Sequence, residues 1–273
     1  MGQFSTTDRK VLIRQGKPIE ELGLTFYPIQ MCHYEEFLMC KDALSLRLST
    51  LPVKYAVKDY LNAIFALELD SVKDKGENVG LFTRAIALLM LSLRIDGSIK
   101  DFIEKQIIFR QVGEGDFKID RIVLTQNNKT VEIQSVDFST KLRTLIAEQN
   151  GVELPEEDLN PELVKSQEEL AKLNGSKVKL NASIDSLIAS VAYNSRVSER
   201  EIDDWTVREF ENRRKAIERD KKYTLYGQAE MSGMVSFKKG NPFSSWCYDS
   251  IDESMGTMST SALAKQNGNV GIK

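Results

Sequence analysis

The sequence predicts a mainly α protein with a small β-hairpin insertion (α+β): two helical modules joined by an acidic linker and followed by a flexible C-terminal tail. Three observations predict it. Apolar residues recur at three- and four-residue steps through the amino-terminal part and again after 183. One stretch, about 106–136, switches to the two-residue alternation of a half-buried strand. Between Val152 and Lys172, seven acidic residues stand against Lys165 and Lys172, with Pro155 and Pro161 as breakers, a pattern typical of a solvated linker. The expected organisation is therefore an N-terminal module over 1–151 with its hairpin at about 106–136, a linker over 152–175, a second module over 176–237 and a tail over 238–273.

Met1–Leu12 carries Asp8, Arg9 and Lys10 and no apolar run, unlike a signal peptide. Gly23–Ile29 reads as one short extended segment ended by Pro28. From Met31, the spacing of Tyr34, Phe37, Leu38, Leu44 and Leu48 predicts a helix, with Glu35, Glu36, Lys41 and Arg47 on its other faces. Pro52 fits the first turn of a second helix, where its missing N–H has no partner to lose. That helix is expected over Val53–Leu69, with Val57, Tyr60, Leu61, Ile64 and Phe65 on one side. Gly76-Glu77-Asn78 separates it from the most apolar stretch, Val79–Ile95. Arg84 within that stretch and Arg94 near its end argue for a helix in a protein core rather than in lipid. Three consecutive helices with short joins suggest a bundle.

Ile107, Ile108 and Phe109 form a short apolar run. Phe117–Thr125 then faces Thr130–Val136 across Gln126-Asn127-Asn128-Lys129. Asparagine tolerates the positive φ of a tight hairpin turn, so a hairpin or small meander is expected. Asp137 or Ser139 is the expected cap of the next helix, whose stripe is Leu142, Leu145 and Ile146 and whose stop is Gly151. In the second module, Ile184, Leu187, Ile188 and Val191 mark a helix ending near Asn194. Ser198-Glu199-Arg200-Glu201 has the form of a capping box. Asp204 is the expected cap of a further helix from Trp205, with Val207, Phe210 and Ile217 inward. Eight acidic and eight basic residues between Glu199 and Lys222 describe a solvated face laced with ion pairs. Tyr223–Met231 continues helically to Ser232-Gly233. From Gly256 the chain cannot bury enough apolar surface to offset its ordering entropy, which makes it a tail.

Several function classes lose support. Of 273 residues, 41% are hydrophobic and 28% charged, and 37 basic against 40 acidic side chains give a net charge of -3. That balance provides no global attraction for phosphate backbones. One histidine, His33, rules out a zinc site needing two imidazoles. Cys32, His33 and Cys40 are the only cluster of metal-ligand type. Neighbours on a helix diverge by about 100°, so no metal and no cysteine–histidine nucleophile pair is expected. Gly113-Glu114-Gly115 lacks the lysine and third glycine of a phosphate cradle. Arg213, Arg214, Lys215, Arg219, Lys221 and Lys222 share one helical segment near a short capped helix, which gives helix-turn-helix proportions. The interleaved Glu209, Glu211, Glu218 and Asp220 oppose DNA binding. No catalytic residue and no cofactor is expected. Phe243, Trp246 and Tyr248 are large side chains in a polar segment and the candidate partner-contact site; packing back onto the C-terminal helices is the alternative.

Val191–Ile202 and Trp205–Phe210, continued by Tyr226–Gly240 and then Asn241-Pro242-Phe243 with Trp246, resemble the C-terminal part of proteins from tail-gene clusters of long-tailed phages and prophages of Gram-positive bacteria. Gly23–Ile29 with Tyr34–Leu38 is similar to those proteins too. Several of them are regarded as tail assembly chaperones, small helical proteins encoded beside the tape measure. The resemblance implies a non-enzymatic protein of the bacterial host cytoplasm that binds a phage tail protein, the tape measure or a tube component. It leaves room for a homo-oligomer. The alternatives are a structural component of the virion and a DNA-binding regulator. No membrane association is expected.

Overall fold

A computed structural model describes residues 6–75, 80–113, 116–155, 183–233, 237, 241, 243 and 245–247. The acidic linker from 156 onward, most of the tail, and Tyr248 lie outside the described residues. The chain is mainly helical with two small antiparallel sheets among the described residues. Contacts divide it into two compact units, Met1–Glu157 with Thr206–Arg208, and Asp158–Trp205 with Glu209–Lys273.

The first unit opens with helix α1 (Thr6–Arg14) and a two-stranded hairpin, β1 (Ile19–Glu21) and β2 (Leu24–Phe26). The single extended segment expected at Gly23–Ile29 is thus half of a hairpin. Leu22 and Gly23 both take positive φ, 52° and 80°, so the reversal rests on a leucine in a conformation that nothing in its side chain favours. A 3-10 turn (Met31–His33) leads into α2 (Tyr34–Cys40) and another (Lys41–Leu44) follows it. The helix expected to run on to Leu48 therefore stops a turn early.

The helix expected over Val53–Leu69 is two helices, α3 (Val53–Ala56) and α4 (Tyr60–Lys75). Val57 falls in the break and is 76% exposed, not inward. The break has a physical cause at Asp59. Its Oδ1 accepts the Asn62 amide N–H and the Ser139 hydroxyl, while its Oδ2 accepts the Asn62 side-chain amide and the Ser135 hydroxyl. An N-terminal acceptor with that many donors starts a new helix there. Helix α5 (Leu81–Leu93) is the centre of the unit, packing against α2, α4, β2 and the helices that follow. Its Ala85, Ile86, Leu88 and Leu89 are fully buried, whereas Arg84 is exposed. Glu68 of α4 supplies the cap that α5 lacks. Its Oε2 accepts the Phe82 and Thr83 amides at 2.8 and 3.3 Å, and its Oε1 accepts the Thr83 hydroxyl.

Helix α6 (Ile99–Gln106), which the periodicity did not reveal, leads into a three-stranded meander of β3 (Ile107–Gly113), β4 (Asp116–Gln126) and β5 (Lys129–Gln134). Asn127 and Asn128 take φ of 52° and 62° and make the two-residue turn that their chemistry favours. Two registers slip along β3, which is exposed beyond Ile107. The next helix starts earlier than either expected cap. It runs as α7 (Ser135–Asp137), a π-helical stretch (Phe138–Leu142) and α8 (Arg143–Asn150), with no side-chain cap bond at its start. Ser139 instead donates to Asp59 and accepts the Leu61 amide, so its hydroxyl serves α4. Gly151 does stop α8, at φ 70°.

Side-chain amides finish the backbone pairing where the sheets end, as buried polar groups require. Gln126 exchanges two hydrogen bonds with Thr25 of β2, and Gln149 donates to the Phe26 carbonyl. Asn150 Oδ1 accepts the Ile29 amide at 2.8 Å. Asn62 does the same for Ile119 of β4. Arg143, only 8% exposed, donates to the Leu44 and Leu46 carbonyls and lies 3.6 Å from the centre of the Tyr60 ring. Thr206–Arg208 belongs to this unit through a bridge between Gln30 and Thr206 and a bond from the Val207 amide to the Ile29 carbonyl.

In the second unit, α9 (Ile184–Ser195) is capped by Ser183, whose Oγ accepts the Ser186 amide. The capping box begins as expected: Ser198 Oγ accepts the Glu201 amide and starts α10 (Glu199–Asp203). Asp204 closes α10 instead of opening the next helix. Helix α11 (Val207–Met231) starts two residues later than expected, because Trp205 and Thr206 are held as the turn and bridge before it.

Candidate protein-interaction surface

The candidate site is built on α11. At about 1.5 Å per residue its 25 residues span about 37 Å. Val207 and Phe210 are fully buried, but no residue from Glu211 to Met231 is; Ile217, expected inward, is half-buried. A helix so exposed is stabilised by its own side chains. Glu209–Arg213, Glu211–Arg214, Arg214–Glu218 and Glu218–Lys222 are ion pairs at three- and four-residue spacing, from 3.8 down to 2.6 Å. Arg213 also lies over the Trp205 ring. Much of the basic row that gave this segment its helix-turn-helix look is thus tied to carboxylates of the same helix.

The described residues after Gly233 meet one stripe of α11. Arg219, Lys222, Tyr226 and Glu230 stand at steps of three and four, so they share a face. Arg219 donates to the Cys247 carbonyl, Lys222 lies over the Phe243 ring, and Glu230 accepts from the Asn241 side chain. Tyr226 receives Phe237 in a stack at 5.7 Å and Phe243 edge-on at 4.6 Å. Phe243 therefore packs back onto the helix. Trp246 does not bury itself: it is 63% exposed, as is Leu225, and Met231 is 90% exposed. Tyr248, the third residue of the aromatic cluster, lies outside the described residues. Sequence reasoning placed its candidate contact in the tail alone and did not single out the exposed Leu225 and Met231. The sequence reading gave Tyr223–Met231 only as a helical continuation; the exposure of Leu225 and Met231 is a tertiary fact.

The other candidates disperse. Cys32 is exposed, Cys40 is buried, and the His33 Nδ1 is 3.0 Å from Glu36 Oε2. Among the described residues no group of three His, Cys, Asp or Glu side chains is placed to hold a metal ion. Nor is any helix among them long and apolar enough to cross a membrane. No protein-family model, curated protein or solved structure matches the chain.

Proposed function

We propose that this chain is a non-enzymatic phage tail assembly protein, a chaperone that binds the tape-measure protein in the bacterial host cytoplasm during tail morphogenesis. One observation carries the reading: the C-terminal half of α11 keeps Leu225 and Met231 exposed, and Trp246 of the same unit is exposed too. Large apolar side chains left open on a long helix suit docking against the apolar face of another helix. The ion pairs along α11 keep the helix formed while it is free, and the mixed charges keep a complex in solution. The likeness to tail-cluster proteins supplies the identity of the partner.

The test is co-expression of the full chain with the tape-measure protein encoded nearest to it. Wild type should keep that protein in the soluble fraction and be captured with it. A Leu225→Glu, Met231→Glu, Trp246→Ala variant should lose at least ten-fold in capture while its helical circular dichroism is unchanged. Undiminished capture by the variant removes this surface from the account. Recovery of the chain in stoichiometric amount from purified particles by mass spectrometry replaces the chaperone by a structural component of the tail.

A further inference from the structure

The first unit contains a cavity of about 370 Å³, within the range that small-molecule sites occupy. Its floor is α5, where Ala87 and Leu91 lie one turn apart and are half-buried, beside fully buried Leu88 and Leu89. Part of the lining comes from α2 and the turn before it, with Cys40 buried and His33 and Glu36 exposed. The connection from α5 to α6 supplies the rest of the lining. Arg94 ends α5 in the left-handed conformation, and Gly97, at φ 130°, turns the chain so that Ile95 and Ile99 both line the space. Only a residue without Cβ takes that φ readily.

The electrostatics of the lining have one sign. Glu36 and Asp96 line the cavity and no lysine or arginine does. His33 bonds to Glu36, and Asp96 is exposed. Deeper in, burial holds the Cys40 thiol above its ordinary range, against the pull of the Arg84 charge and with help from Glu36. The inner wall is therefore neutral and apolar, and the charge sits at the mouth.

We propose that this cavity binds a small amphipathic cation, a compact aryl or alkyl body seated on Ala87 and Leu91 with its ammonium group at the carboxylates of Glu36 and Asp96. Apolar walls with a few placed polar groups are the usual composition of such sites. Each exposed carboxylate adds a modest attraction, so the charge preference should be about fivefold to tenfold. Neither this reading nor that of the α11 surface depends on the other.

The experiment is titration of the full chain with 4-phenylbutylamine, 4-phenylbutanol and 4-phenylbutyrate, followed by amide chemical shifts. The amine should bind about five times more tightly than the alcohol, the acid should bind most weakly, and the shifts should centre on Ala87, Leu91 and Ile99. Glu36→Gln with Asp96→Asn, both at exposed positions, should erase the preference and leave the affinity for the alcohol unchanged. Ala87→Phe should fill the floor and abolish binding of all three. Equal affinities for the three probes, a preference that survives the double substitution, or no saturable binding of the amine overturns the proposal.

Discussion

Replacing Asn62 by leucine should destabilise the first unit by about 3 kcal/mol, although the two side chains are close in size. Asn62 is 6% exposed, and its amide does the work of a neighbouring strand for Ile119. Oδ1 accepts the Ile119 N–H at 2.7 Å, and Nδ2 donates to the Ile119 carbonyl at 3.1 Å. The same nitrogen donates to Asp59 at 2.8 Å and reaches Ser135 Oγ at 3.1 Å. Leucine deletes these bonds and leaves a backbone N–H and C=O unpaired at a residue that is 1% exposed. Each buried group left without a partner costs about 1–3 kcal/mol, and the apolar side chain recovers about 1 kcal/mol by its burial, so about 3 kcal/mol remains. With a urea slope of about 2 kcal/mol per molar, the midpoint should fall by about 1.5 M at unchanged slope. Hydrogen exchange at Ile119 should accelerate with it. A midpoint within about 0.2 M of wild type would refute the reasoning, since it would mean that Ile119 does not depend on this amide.

Three further outcomes follow from single contacts. Glu68→Ala should cost about 2 kcal/mol and speed amide exchange at Phe82 and Thr83, because the first turn of α5 loses the carboxylate that accepts both N–H groups; unchanged exchange there would count against it. The Lys54 ammonium and then the Tyr55 hydroxyl hold the Asp70 carboxyl below its ordinary range. A carboxyl depressed in the folded state stabilises fully above its unfolded value of about 3.9 and loses that contribution as pH falls through the folded one. Wild type should thus exceed Asp70→Asn in stability at pH 7, and the gap should close below about pH 4; a gap independent of pH refutes the assignment. Tyr226→Ala removes two ring contacts worth about 1 kcal/mol each, so opening of the returning segment should become about thirtyfold more frequent. Chymotryptic cleavage at Phe243 should accelerate accordingly, and an unchanged rate would show that Tyr226 does not hold the segment.

Where one residue's own chemistry decides a structure, the sequence was enough. Asn127-Asn128 accepts positive φ, so the β4–β5 turn was legible; Gly151 stops α8 for the same reason. Ser198 precedes Glu201 at capping distance, and the start of α10 followed. The continuous apolar run of α5 identified the core. What sequence could not supply were decisions made by residues far apart in the chain. Ser135 and Ser139 meet Asp59 and begin a new helix at Tyr60, breaking a pattern that looked continuous from Val53 to Leu69. Leu22 takes positive φ because β1 and β2 pair around it, not because leucine favours it. The same division holds for the candidate surface. The aromatic cluster at Phe243 and Trp246 stood out by composition. Only the packing separated them, since Phe243 finds Tyr226 on α11 while Trp246, like Leu225 and Met231, is exposed. Local propensity and pattern are properties of neighbours along the chain, whereas burial depends on which distant surfaces arrive, and that is a property of the folded molecule.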